Sequence, residues 1–436
     1  MEPRGSLRPM AGVLAAIAVS MTGTRVSAIA LPWFVLTSTG SAVWTGLVAF
    51  AEMTPYVLVK ALTGPLVDRA GPRRISWIAD VVSASAAAAM VVLHALGLLP
   101  LGLIVALVAV IGAARGPGDL AKEIMVPEAA ERGRIPLERA TGLMGVTERL
   151  AVTVGPGAGG AMVALLGPLS GLGVSAALFA LGSAVVAVAL PRGLGHRAPG
   201  APEHEEEEGY WRRFGQGFAF LRGEPLLLAM VAMVAATNLI DAAWSQVLAP
   251  VWAKESGHGP AVLGLTLSVI GLTAVGGSLV AAAVAHRMPR RPVFFVAFLI
   301  GGPPKFLMLA VDMPVWGLVA ASVAIGFSSG FLNPILSAIS YERVPRHLLG
   351  RVGALQGAVM WAGMPLGGLL GGAAVTAVGL APVLVTCGVV YALITSLTGL
   401  RPEWREMDRL RGHGPPAVPA PEGSVGTAGR SGGISR

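Results

Sequence analysis

Twelve apolar runs, each of about twenty residues or more, constrain this chain most, because that is the length an α-helix needs to cross the hydrocarbon of a bilayer. They are expected at about 10–36, 43–66, 74–94, 97–118, 138–166 and 170–190, then at about 225–252, 260–285, 292–311, 315–338, 352–377 and 380–400. The fold class that follows is an all-α integral membrane protein with twelve transmembrane helices in two six-helix bundles, residues 10–190 and 225–400. A polar linker, 191–224, separates the bundles, and residues 1–9 precede the first. Residues 401–436 are rich in Gly, Pro, Ser and charge, and a disordered tail is expected there.

The charge content agrees with a chain that lies mostly in lipid. Only 13% of the 436 residues are charged, against roughly 25% in a soluble protein, and mean hydropathy is +0.70. The 59 glycines suit close helix contact in membranes. A net charge of +8 could point to nucleic acid, but the basic residues punctuate the apolar runs on one side. One set of connections carries Arg69, Arg73, Arg74, Lys122, Arg132, Arg134, Arg287, Arg290, Arg291, Arg343, Arg346 and Arg351; the opposite set carries only Lys254. That asymmetry makes the lipid bilayer the partner, excludes nucleic acid, and places both termini and the linker on the cytoplasmic side of the plasma membrane. The first run is too long for a cleavable signal core. The lone cysteine, Cys387, excludes an internal disulfide, and the seven histidines show no paired spacing, so no metal site is expected. There is no Gly-x4-Gly-Lys-Ser/Thr phosphate loop and no nucleophile–His–acid set, so neither ATP-driven work nor enzyme chemistry is expected.

Between the second and third runs stands Gly64-Pro65-Leu66-Val67-Asp68-Arg69-Ala70-Gly71-Pro72-Arg73-Arg74. The glycines allow a tight turn, and a basic loop alone would fix topology. Asp68 set among arginines asks for a further role. The order Gly, three residues, Asp-Arg, any, Gly, any, Arg-Arg resembles motif A of the major facilitator superfamily. That resemblance implies a secondary transporter in which Gly64, Asp68, Arg69, Gly71, Arg73 and Arg74 build an inner gate. Asp80 and Arg115 are the expected partners of Asp68 in a charge cluster that holds the inner side closed.

The two bundles also align with each other. Gly46 matches Gly264, Pro32 matches Pro250, Arg115 matches Asn333 and Val126-Pro127 matches Val344-Pro345, all at an offset of 218. Arg139 then matches Arg351 at 212, which one six-residue shortening explains. Pro72-Arg73-Arg74 matches Pro289-Arg290-Arg291, but the second copy lacks the Asp and both glycines. A parallel repeat of this kind implies pseudo-symmetric halves with substrate bound between them near the bilayer midplane.

In the fifth run, Gly142, Ala151, Gly155, Pro156, Gly159 and Gly160 follow the spacing Gly-x8-Ala-x3-Gly-Pro-x2-Gly-Gly. This resembles motif C, the mark of the drug:proton antiporter branch, with Ala151 where the family has Gly. Small residues let the helix approach a partner from the other half, and Pro156 is expected to bend it. The resemblance implies export; import or uniport of a small solute is the alternative. A scaffold or sensor would leave the repeat and both motifs unexplained.

Charged residues inside apolar runs cost a few kcal/mol each at the bilayer centre, so each is a functional candidate. Arg25, Glu52, Glu148, Arg149, Asp241 and Lys305 fall near mid-membrane, and Asn238 shares a helix with Asp241. A carboxylate desolvated there can hold a proton at neutral pH and release it when water enters. Glu52 and Asp241 lead as proton carriers, with Glu148 third because Arg149 adjoins it. Arg25 is read as counter-ion to Glu52, or as a binder of an anionic group. Lys305 follows Gly301-Gly302-Pro303-Pro304, where a helix break would let it snorkel. A fixed ion pair is the bland alternative for each. The combined expectation is a monomeric exporter of a small, largely apolar compound, driven by the proton gradient without a cofactor.

Overall fold

The computed structural model describes residues 7–191, 194, 210–284, 287–311, 313–345 and 348–409. Among them, twelve helices are long and apolar enough to cross a membrane. Spans 1 to 6 are Arg8–Thr39, Ala42–Leu62, Pro72–Ala95, Leu101–Gly133, Arg139–Leu166 and Pro168–Ala189. Spans 7 to 12 are Pro225–Glu255, Gly259–Val284, Arg290–Ala310, Val315–Arg343, Leu349–Val378 and Leu380–Gly399. Twelve crossings bring the first and last spans to the same end of the bundle, called here the terminal end; the opposite end is the far end.

The tight connections use glycine where the backbone turns left-handed. Gly167 joins spans 5 and 6 at φ 85°, and its repeat mate Gly379 joins spans 11 and 12 at the same φ. Gly71 sits at φ 84° between the short helix Gly64–Ala70 and span 3, which is the turn its motif required.

Several spans differ from expectation. Span 4 does not stop near residue 118: it runs on to Gly133 with Pro117 and Pro127 inside it. Prolines are tolerated in a membrane helix where packed neighbours satisfy the freed backbone groups. Span 7 opens into a π turn at Trp244–Leu248, just before Pro250. Pro250 offers no N–H and crowds the preceding turn, and the wider turn relieves both. Span 9 breaks at Gly302, between Arg290–Gly301 and Pro303–Ala310. The first residues of the expected tail are folded instead. Pro402–Arg405 and Glu406–Arg409 are helical, and Trp404 is fully buried against Phe294 and Phe295. Burying one indole outweighs the polar composition around it. Residues 410–436, and most of the linker before Tyr210, lie outside the described residues. The linker's last part is the helix Tyr210–Gly223, anchored to span 11 by the hydrogen bond of Arg351 to Gln216.

The halves meet chiefly along two pairs of helices, span 2 with span 11 and span 5 with span 8. Both seams are glycine contacts, and they are repeat images of each other. A Cβ on Gly46 would strike the backbone of Gly368, and one on Gly372 the backbone of Ala42. At the equivalent positions, a Cβ on Gly264 would strike Pro156, and one on Gly160 would strike Pro260. All of these contacts lie in the far half of the bundle. Gly145 is on the same face of span 5, roughly three turns before Pro156, yet a Cβ there meets nothing within 4 Å. Its repeat mate Gly357 on span 11 is equally open. The halves are therefore sealed at the far end and splayed at the terminal end.

Candidate functional site

The gap left by that splay is a cavity of about 390 Å³ lined by spans 1, 2, 4, 5 and 11. Each helix presents its polar stripe at intervals of four residues, which keeps the side chains on one face. Span 2 contributes Glu52, Tyr56 and Lys60; span 4 contributes Arg115, Asp119 and Glu123, with Lys122 beside them. Span 1 adds Arg25, and span 5 adds Glu148. Trp361 and Met364 of span 11 close the wall from the other half, with the Trp361 ring stacked near Tyr56 at 6.4 Å.

Most of these charges are paired. Lys60 meets Glu123 at 3.3 Å, and Arg115 meets Asp119 at 3.0 Å while lying 4.8 Å above the Phe179 ring. Tyr56 Oη donates to Asp119 at 3.5 Å. Lys122 is bound to Asp80 at 2.8 Å, both side chains almost fully buried, and Ser20 Oγ donates to the same carboxylate. Among the described residues, that leaves Arg25, Glu52 and Glu148 in the wall with no ion-pair partner. The Arg25 Nε atom is buried with no hydrogen-bond acceptor.

A family model described as a transmembrane secretion effector, within the major facilitator superfamily, matches residues 9–435. The chain belongs to that family. It is 30% identical over 406 residues to the multidrug efflux pump Tap of Mycolicibacterium fortuitum, covering 92% of this chain and 97% of that one. It is 23% identical to macrolide efflux protein A of Streptococcus pyogenes over 411 residues, 90% and 95% of the two chains. In fold it resembles the nucleoside transporter NupG (TM-score 0.72, 13% identity, 92% and 100% covered) and the peptide transporter POT (TM-score 0.69, 12% identity, 92% and 95% covered). This membrane protein is thus a twelve-span transporter of small molecules.

Within this transporter the structure separates residues that the sequence grouped together. Arg25 and Glu52 share the cavity but form no ion pair, so the counter-ion reading is corrected. Glu148 lines the cavity while Arg149 is exposed, as successive residues on a helix must diverge. Asp241 and Lys305 lie outside that cavity lining and are ion-paired with each other. Lys305 does not snorkel: it is buried, with its Nζ 5.2–5.9 Å from the rings of Tyr391, Phe306 and Trp244. Asn238 donates to the Met360 carbonyl at 3.0 Å and ties span 7 to span 11.

Of the expected gate partners of Asp68, Asp80 pairs with Lys122, and Arg115 with Asp119 one turn away. The Asp68 side chain lies outside the described residues. Arg73 donates from Nε to the Leu190 carbonyl at 3.0 Å and from Nη2 to Ala187 at 2.8 Å, capping the end of span 6. Arg291 repeats the contact on Gly399 at the end of span 12, at 2.8 Å. The motif C glycines divide between two partners. Gly160 packs across the seam on span 8, whereas Gly155 and Gly159 pack on Arg25 and Val26 of span 1 in the same half. Ala151 is buried, Gly142 meets nothing within 4 Å, and Pro156 sits inside an unbroken helix.

Asp119, Lys122 and Glu123 were missed as site residues because span 4 was expected to end before them. Their signal was present, since Arg115, Asp119 and Glu123 recur at intervals of four.

Proposed function

We propose that this transporter exports small, largely apolar compounds across the plasma membrane in exchange for protons, as a monomer with both termini in the cytoplasm. The observation that carries this reading is the trio Arg25, Glu52 and Glu148, unpaired in the wall of a cavity whose other charges are neutralised. An unpaired carboxylate can take up one proton and surrender it as the cavity changes the side it faces. Arg25, with its Nε buried and without an acceptor, places a cation in the same wall. The apolar remainder of the wall, Ile17, Met21, Met53, Met144, Trp361 and Met364, suits an adaptable contact with apolar solutes. The names of the efflux relatives support the direction of transport, and the one-sided Lys and Arg distribution supports the orientation. The complete two-half unit lies within one chain, which supports a monomer.

Cells loaded with a dye that the protein expels provide the test. Dissipating the proton gradient should abolish export, and Glu52→Gln combined with Glu148→Gln should do the same at parental protein levels. Undiminished export by the double variant would sink the coupling proposal.

A further inference from the structure

Lys254 is the lone basic residue that the charge pattern leaves on the far side. The structure shows where it goes. Its Nζ donates to the backbone carbonyl of Leu36, in the last turn of span 1, at 2.8 Å. Span 1 belongs to the first half and Lys254 to the second, so the bond crosses between halves. Leu36 and Lys254 are also repeat mates, at the offset of 218 that relates Gly46 to Gly264. Two equivalent positions can touch only where the repeat axis passes between them, so this bond sits on that axis. The two glycine seams flank it, and Ala42 and Val375 line the same far-end depression as Lys254.

We propose that Lys254 is a latch that holds the far end closed, and that it must release in each transport cycle. The Leu36 carbonyl is at the negative end of the span 1 dipole, where a cation is favoured. It already accepts from Gly40 N at 3.0 Å and uses its second lone pair for Lys254. Opening the far end moves spans 1 and 7 apart at the axis, and the bond has no equivalent elsewhere to replace it. Exposure of the Lys254 side chain keeps the bond weak enough to break. Topology does not explain the residue, since a cation here opposes the charge rule that the other basic residues follow. Such a latch rests on alternating access alone and is independent of substrate and protons.

The test uses full-length purified protein in detergent, with Cys387→Ala removing the native thiol and one reporter cysteine at a time. Ala42→Cys is buried in the closed far seam, and Gly145→Cys faces the open terminal end. Lys254→Met should raise maleimide labelling at position 42 about fivefold, the population change that about 1 kcal/mol produces for one exposed charged hydrogen bond. It should lower labelling at position 145, because opening one end closes the other. Lys254→Arg should label as the parent does, and Lys254→Gln should follow Lys254→Met, which guards against a folding defect peculiar to one variant. Parental labelling in both the Met and Gln variants overturns the proposal. So does a rise at both reporters, which would mean loosening without a switch.

Discussion

The repeat-related seams make a sharp prediction about Gly264. A Cβ at this position would lie 3.0 Å from Gly160 Cα and 3.2 Å from the Pro156 carbonyl carbon, with the Pro156 oxygen closer still. These are backbone atoms of span 5, so no rotamer change relieves the clash; the helices must separate. Overpacking of this kind costs about 1–3 kcal/mol. Because the strain exists only while the far end is sealed, Gly264→Ala should shift the population toward the far-open state by roughly 5- to 150-fold. The better helix propensity of Ala, worth up to about 1 kcal/mol, applies in both states and cancels. Gly46→Ala, at the mate position, should act the same way through Gly368. Combining the two should shift the population further than either alone, since both clashes exist in the sealed state and neither in the far-open one. Gly145→Ala, which meets open space in this state, serves as a control. Spin labels on Ser41→Cys and His258→Cys, in a Cys387→Ala background, would report the far-end separation by dipolar spectroscopy. The expected result is a new, longer distance in Gly264→Ala and in Gly46→Ala only. A parental distance distribution in a well-folded Gly264→Ala protein would refute the claim that these seams seal the far end.

Two further outcomes follow from buried groups. Lys122→Met leaves Asp80 as an unpaired charge in the first half and should cost about 3–5 kcal/mol, while adding Asp80→Asn should recover most of the loss; thermal unfolding of the three proteins checks the order. Trp404→Ala removes a fully buried indole packed on Phe294 and Phe295 and should destabilise the second half by about 3–5 kcal/mol, visible as a lowered unfolding temperature.

The sequence made the number of spans, the two halves and the repeat legible, because bilayer thickness and the exclusion of charge from lipid act on every residue of a span. The broken span 9 was legible for the same kind of reason: Gly302-Pro303-Pro304 cannot continue a regular helix. What could not be read was pairing. Asp80 and Lys122 stand 42 positions apart, and their contact depends on how spans 3 and 4 rotate against each other, which no single span encodes. With span 4 expected to end near residue 118, Lys122 reads as a topology marker, and three of the four polar residues that span 4 brings to the cavity lie beyond that end. Lys305 was read from its neighbours in the chain, whereas its partner Asp241 comes from span 7. The helical stretch 402–409 could not be read because composition averages over a segment, and Trp404 is one residue within a polar one.

The repeat sorts the molecule into a mechanical part and a chemical part. The glycines that let the halves meet keep their identity in both copies, Gly46 with Gly264 and Gly160 with Gly372, each set against the partner helix's backbone. Residues of the cavity do not. The mates of Arg25, Glu52, Lys60 and Arg115 are Ala243, Ile270, Ser278 and Asn333, and those of Asp119, Glu123 and Glu148 are Ser337, Tyr341 and Met360. Rocking between two states needs seams of matched strength on either side of the axis, or one side would open before the other. A charge cluster has no such requirement, and doubling it would double the desolvation cost of the apolar core. One half can therefore hold the charged groups of the cavity while the other supplies the apolar wall through Trp361 and Met364. Moving charge into the second half, as in Ile270→Glu, should therefore damage folding without raising transport, whereas Gly→Ala changes in either seam should be interchangeable in effect.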